Sequence, residues 1–172
     1  YTSTDAGVTW TEQTNASSSS WQAIASSSNG INLAAVVNPD YIYTSTDAGV
    51  TWTEQTIIGF RDYYSITSSS DGMNLAGVVY GGPLGTSTDG GVDWTPQSAA
   101  GARNWTSIAS SSDGMKLAAV VDNGFIYTST DAGVTWTEQT GAGSRTWWSI
   151  ASSSDGANLA AAVAQGSIWT FG

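Results

Sequence analysis

The sequence contains no cysteine and no histidine, and these two absences exclude several classes of site. A chain without either residue offers no thiolate or imidazole ligand for zinc, iron or copper. It also has no Ser-His-Asp triad and no cysteine nucleophile. We therefore expect no metal and no cofactor, and we assign no catalytic residue.

Basic residues are scarce as well. The 172 residues include 4 Lys and Arg against 14 Asp and Glu, which gives a formal net charge of −10. Nucleic acids and anionic lipid surfaces are bound through clustered basic residues, so neither is an expected partner. The longest apolar runs, such as 159–164, are far shorter than the roughly 18 residues of a membrane span. Charged residues make up only 10 % of the chain, and this neutral polar composition favours an extracellular or cell-surface location.

A repeat of 42 residues organises the chain. The segment YTSTDAGVTWTEQT begins at Tyr1, Tyr43 and Tyr127, and a diverged copy, GTSTDGGVDWTPQS, begins at Gly85. The units are 1–42, 43–84, 85–126 and 127–168, followed by a terminal strand at 169–172. A fixed period of this length, rich in strand formers, is typical of one four-stranded propeller blade. The sequence thus predicts a single all-β propeller domain or half of a larger propeller.

Each unit divides into four strands separated by turn residues. In the third unit, alternation and glycine-containing turns predict the strands 105–110, 115–121, 125–130 and 134–139. The β-branched and glycine content argues against helices. We therefore predict antiparallel four-stranded blades.

The turn between the third and fourth strands has the form Ser-x-Asp-x-Gly-x-Thr-Trp. It occurs at 3–10, 45–52 and 129–136, and at 87–94 with Asp93 in place of the threonine. This pattern resembles the Asp-box, or bacterial neuraminidase repeat, of sialidases, xyloglucanase-like hydrolases, sortilin-type receptors and photosystem assembly factors. The resemblance implies a β-propeller. We expect the aspartates to bind backbone groups of their own turns rather than a metal or a ligand.

The two faces of the predicted propeller differ in how much their loops vary. Turns between strands one and two, and between strands three and four, are nearly identical among the units. Loops between strands two and three and between blades diverge, and we call the face that carries them the variable face. Binding residues on rigid scaffolds lie mostly in loops, so we expect a ligand on the variable face, although neutral drift of longer loops also explains the divergence.

Three arginines, Arg61, Arg103 and Arg145, recur at the repeat interval just before the first strand. Together they form a candidate ring around the axial channel that suits a carboxylate or sulfate ligand. The alternative is that each guanidinium stacks on an aromatic ring of its own or the next blade.

Aromatic residues complete the candidate ligand-binding set, which adds Tyr63, Tyr64 and Trp148 to the arginines. Trp148 is of special interest because its counterparts in the other units are Gln22, Tyr64 and Thr106. Such a variable position is expected to be exposed, and aromatic rings commonly stack on sugars.

These observations favour a noncatalytic extracellular propeller that binds a glycan or a protein. Two alternatives stay open, a glycoside hydrolase and a self-assembling natural or engineered scaffold without a ligand. A hydrolase requires two carboxylates about 5–10 Å apart, and the acids outside the repeat, Asp40, Asp62 and Asp122, form no convincing pair. The Arg-Ile-Pro sequence that the sialidase resemblance would imply is missing.

Both ends of the chain correspond to third strands, at 1–4 and 168–171. The C-terminal part then supplies strands one to three of a blade and the N-terminal part supplies strand four. The sequence predicts a homodimer that closes an eight-bladed ring, with a four-bladed monomer or a fragment of a longer propeller as alternatives.

Overall fold

The computed structural model describes residues 1–16, 19–56, 59 and 61–171, and the all-β prediction is confirmed. The first blade contains β1 (Trp21–Ser26), β2 (Leu33–Val37), β3 (Ile42–Ser45) and β4 (Thr53–Gln55). The second contains β5 (Tyr63–Ser68), β6 (Leu75–Gly82), β7 (Leu84–Ser87) and β8 (Thr95–Gln97). The third contains β9 (Arg103–Ser110), β10 (Leu117–Val121), β11 (Ile126–Ser129) and β12 (Thr137–Gln139). The fourth contains β13 (Trp147–Ser152), β14 (Leu159–Val163) and β15 (Ile168–Phe171).

Within each blade, consecutive strands pair antiparallel in the order of the sequence. In the third blade, Ala119 of β10 pairs with Ile108 of β9 on one side and with Tyr127 of β11 on the other. The N-terminal residues form a separate hairpin in which Thr2 pairs with Thr11. That hairpin is the repeat equivalent of the third and fourth strands of a blade.

The fourth strand is shorter than the sequence predicts. Alternation placed its start at residue 134, whereas β12 begins at Thr137. The reason is that Val134 and Thr135 belong to the Asp-box turn, in which their backbone N–H groups point back to Asp131. Short 3₁₀ turns at Thr14–Ala16, Ser98–Ala100 and Thr140–Ala142 follow the fourth-strand segments.

The blades follow one another along an arc with their first strands on the inside. β1 contacts β5, β5 contacts β9, and β9 contacts β13, so these four strands lie side by side along the inside of the arc. Apolar side chains fill the space between neighbouring blades. The boundary between the third and fourth blades, for example, buries Val120 and Ile126 against Trp147 and Ile150. This packing fixes the position of each first strand relative to the next.

The described residues contain no helix that is long and apolar enough to cross a bilayer.

Candidate functional site

The Asp-box turns are held by their own side chains, as the sequence predicts. In the third blade, Asp131 accepts hydrogen bonds from the Thr135 N–H at 2.8 Å and from the Thr135 hydroxyl at 2.6 Å. The Ser129 hydroxyl donates to Asp131 at 2.8 Å and accepts from the Gly133 N–H at 2.9 Å. Trp136 closes the turn by donating from Nε1 to the Gly133 carbonyl at 2.8 Å. The hydrogen bonds of the Asp131 carboxylate are thus made within its own turn.

The diverged turn of the second blade keeps this geometry with a different set of bonds. Asp89 accepts from the Ser87 hydroxyl at 2.8 Å and from the N–H groups of Val92 and Asp93 at 3.0 Å. Because Asp93 replaces the threonine, the hydroxyl bond is lost. The backbone bonds are therefore sufficient to form the turn.

The hydrogen bonds to the Asp-box carboxylates make the stability of these turns sensitive to acid. Hydrogen bonds from the Thr135 side chain and backbone, and from Ser129, lower the pKa of Asp131 from its ordinary value of 3.8 to about 2. A carboxyl whose pKa is lower in the folded chain adds stability above pH 3.8, and that stability is lost as the pH falls through about 2. We expect the Thr135→Ala variant to raise the Asp131 pKa, so that acid destabilisation begins at a higher pH. Carboxyl NMR titration and melting curves in acid check this, with Asp89 as the internal comparison; an Asp131 pKa near 3.8 in the unsubstituted chain would contradict it.

The recurring arginines lie where the variable loops of neighbouring blades meet. The backbone of each pairs with the end of strand two, or the loop after it, in the preceding blade, in the pairs Asp40–Arg61, Gly82–Arg103 and Gly124–Arg145. The Arg103 guanidinium lies 4.4 Å from the centroid of the Tyr127 ring, and that of Arg145 lies 4.2 Å from the Trp169 ring. Their Nε groups donate to the carbonyls of Ala100 and Ala142 at 3.0 and 2.9 Å. This arrangement joins the blades and covers aromatic rings, and a role of the arginines in ligand binding stays a prediction.

A cavity of about 380 Å³ opens between the four first strands. It is lined by four side chains at equivalent positions of the repeat, together with serines of the next position: Gln22, Tyr64, Thr106, Trp148, Ser65, Ser107 and Ser149. None of these side chains carries a charge. We call this space the axial cavity.

A β-bulge explains why the four equivalent side chains reach the axial cavity. In every blade the pairing of the first strand skips this position, for example between Trp147 and Ser149 in the fourth blade and between Tyr63 and Ser65 in the second. A bulge leaves one residue without a partner across the ladder and redirects its side chain. The neighbouring positions face the core, which is why Tyr63 is buried between the first two blades whereas Tyr64 is only half-buried.

The side chains of the axial cavity differ in how they are held. The Tyr64 ring stacks on Tyr80 at a centroid distance of 5.0 Å, and the Tyr80 hydroxyl donates to Asp122 at 3.2 Å. The Thr106 hydroxyl donates to the Trp147 carbonyl at 2.9 Å and so links two blades. Trp148 is 63 % exposed. The cavity therefore presents one fixed aromatic ring and one open aromatic ring among hydroxyl and amide groups.

Two of the six predicted binding residues, Tyr64 and Trp148, line the axial cavity. Gln22 and Thr106 line it too, and their equivalence to Trp148 in the repeat was the signal that could have assigned them. The serines of the lining gave no signal, because they belong to the uniform Ser-Ile pattern of the first strand. No group of three or more carboxylates suited to a metal occurs among the residues that the structure describes.

The comparisons with known proteins agree with this architecture. The model of the BNR/Asp-box repeat matches residues 1–12, 43–54 and 127–138, and thus skips the unit that carries Asp93. No curated protein matches the sequence.

Solved propellers share the fold at low sequence identity. A GH74 enzyme of Niastella koreensis superposes with a TM-score of 0.71 at 22 % identity, over 86 % of this chain and 26 % of the enzyme. The GH74 xyloglucanase of Xanthomonas campestris superposes with a TM-score of 0.70 at 16 % identity, over 88 % of this chain and 29 % of the xyloglucanase. YCF48, in a structure bound to a D1 peptide, superposes with a TM-score of 0.61 at 18 % identity, over 88 % of this chain and 55 % of YCF48. This chain thus spans about a quarter of the length of the GH74 enzymes. Together, the turns, the blades and these matches show that the chain has the β-propeller fold and carries BNR/Asp-box repeats at three of its turns.

Proposed function

We propose that the chain is a noncatalytic extracellular binding protein that holds a neutral sugar in the axial cavity. One observation carries the proposal. The four repeat-equivalent positions at the bulge differ in all four blades, although the first strands that carry them are otherwise similar, and their side chains meet in a single cavity. A framework that keeps its structural residues and varies the residues around one cavity has the form of a binding site.

The chemistry of the lining supports a neutral sugar. The volume of about 380 Å³ falls within the usual range of small-molecule sites, roughly 300–1,000 Å³. The exposed face of Trp148 offers apolar area for the C–H side of a sugar ring, and Gln22 offers amide donors and acceptors for its hydroxyls. With no carboxylate in the described lining, the cavity has no acid–base pair for glycoside hydrolysis, and this supports binding over turnover.

Trp148 should act as both a binding group and a reporter. We expect titration with neutral oligosaccharides, namely cellotetraose, maltotetraose and xyloglucan heptasaccharide, to change the tryptophan emission for at least one sugar. By calorimetry, Trp148→Ala should weaken that binding at least about tenfold, corresponding to about 1.4 kcal/mol. Trp148→Phe should recover part of the affinity because it keeps a ring.

Met115→Ala serves as the matched control, because Met115 is exposed on a turn outside the axial cavity and its replacement should leave the affinity unchanged. No response to any of the neutral sugars, or equal affinity in Trp148→Ala, would remove the sugar proposal. An acidic oligosaccharide in the same series tests the arginine prediction: salt-sensitive binding that is lost in Arg103→Ala and Arg145→Ala would favour it.

A peptide is the second candidate ligand. The YCF48 structure that holds a D1 peptide shares the propeller fold over 88 % of this chain, and this likeness favours a protein partner. The D1 peptide itself is the direct probe. Binding of this peptide that survives in Trp148→Ala would place it outside the axial cavity.

A further inference from the structure

The two ends of the blade array expose apolar faces that are buried at every internal boundary. At the N-terminal end, Ile24 is 63 % exposed, whereas its equivalents Ile66, Ile108 and Ile150 are 6, 4 and 6 % exposed. Trp21 on the same face is 37 % exposed, whereas Trp105 and Trp147 are fully buried. This face lines a groove of about 630 Å³ together with the N-terminal hairpin. We call it the leading face.

The C-terminal end shows the opposite half of the same boundary. Ile168 is 74 % exposed, whereas its equivalents Ile42, Leu84 and Ile126 are at most 2 % exposed. These equivalents pack on the leading side of the following blade, as Ile42 does against Tyr63 and Ile66. We call the surface of β14 and Ile168 the trailing face.

Two sets of hydrogen bonds between the turns of neighbouring blades repeat in one direction along the array. The N–H of Ser28 donates to the carbonyl of Ser70, Ser70 donates to Ser112, and Ser112 donates to Ser154, at 2.7–2.8 Å. In the same direction, the side chains of Asn32, Asn74 and Lys116 donate to the carbonyls of Asp71, Asp113 and Asp155 at 2.8–2.9 Å. At these turn positions, each blade therefore presents donors on its trailing side and acceptors on its leading side.

This directional pattern makes the two ends complementary. The trailing end carries the Ser154 N–H and the Asn158 amide at the donor positions. The leading end carries the carbonyls of Ser28 and Asn29 at the acceptor positions. Neither donor bonds to another blade among the residues that the structure describes. An isologous contact between two leading faces would bring acceptors against acceptors, so the pattern selects a head-to-tail contact.

We infer that the leading face of one copy of this chain docks on the trailing face of a second copy, and that two such contacts close an eight-bladed ring. Each contact reproduces a boundary that the chain already forms internally. The segment Thr11–Gln13 of the N-terminal hairpin is the repeat equivalent of β4, β8 and β12, the outer strand that is not seen in the fourth blade among the described residues. Tyr1–Ser3 and Trp169–Phe171 are equivalent as well, so one of these segments takes the third-strand position in the shared blade. Closure covers the exposed apolar faces and the unpaired strand edge.

Light scattering coupled to size exclusion tests this inference. The chain mass is 17.7 kDa, and we expect a single species of twice that mass. Ile24→Asp and Ile168→Asp should each give the monomer, because a carboxylate would be buried in the contact without a partner. Both residues are exposed within one copy, so the far-UV circular dichroism of each variant should match that of the unsubstituted chain.

Ile31→Asp is the matched control. Ile31 is 46 % exposed, and its equivalents Met73 and Met115 inside the array are exposed to nearly the same extent, so contact between blades does not bury this position. We expect this variant to remain a dimer. A monomeric unsubstituted chain at about 100 μM, a dimer that persists in folded Ile24→Asp, or an open series of larger assemblies would overturn the inference. The sugar titration is independent of this result, because monomeric Ile24→Asp keeps all the residues that line the axial cavity.

Discussion

Replacing Gly133 with valine is expected to destabilise the chain by about 2 kcal/mol or more, without changing the affinity of the folded fraction for a ligand. Gly133 has a φ of +89°, a conformation in which a side chain is strained. A Cβ added there would lie 2.9 Å from the Thr86 side chain of the preceding blade and 3.2 Å from Leu117. The substitution therefore strains the turn and also forces two blades apart. For a chain of this length we expect a melting temperature lower by about 5 °C or more.

Gly141→Ala provides the control for the Gly133 substitution. Gly141 has no positive φ, and a Cβ there meets nothing within 4 Å. The melting temperature of the Gly141→Ala variant should stay close to that of the unsubstituted chain. If the melting temperature of Gly133→Val equalled that of the control, the inference that the Asp-box turn joins neighbouring blades would be wrong.

The sequence predicts the blades because several local signals agree. Turn glycines, alternating strands and a constant interval of 42 residues place all four strands of a blade, and the structure confirms this order. The start of β12 could not be predicted, since Val134 and Thr135 alternate as strand residues do. The Val134 N–H donates to the backbone carbonyl of Asp131 and the Thr135 N–H to its carboxylate, and these bonds, which no pattern of hydrophobicity reports, place both residues in the turn.

The residues of the site could be predicted only in part, because a bulge in each first strand determines which side chain lines the axial cavity. Trp148 stood out as the variable position of a uniform strand, and the structure exposes its ring. Tyr63 and Tyr64 are adjacent aromatic residues in the sequence, and only the pairing register shows that the first faces the core and the second the cavity. The arginines posed the same difficulty. Their backbone bridges to the preceding blade and their stacking on Tyr127 and Trp169 depend on contacts distant in sequence.

A ligand held in the axial cavity should block chemical access to Gln22. Gln22 is exposed, lines the cavity and lies at the same bulge as Trp148. The chain has no cysteine of its own, so Gln22→Cys introduces a single thiol at a position that lines both the axial cavity and the groove of the leading face. Saturation with the best neutral sugar of the titration should slow the reaction of this thiol with a maleimide at least about tenfold, because a bound ligand excludes the reagent from most of a concave site.

Ile31→Cys is the matched control for this measurement, since it places an exposed thiol in the turn after β1 of the same blade and outside the cavity lining. The rate of thiol modification at these two positions, with and without the sugar, tests the central claim that the divergent bulge residues form a ligand site. The account predicts protection at Gln22→Cys and none at Ile31→Cys. Equal rates at Gln22→Cys with and without a sugar that binds the chain would contradict it.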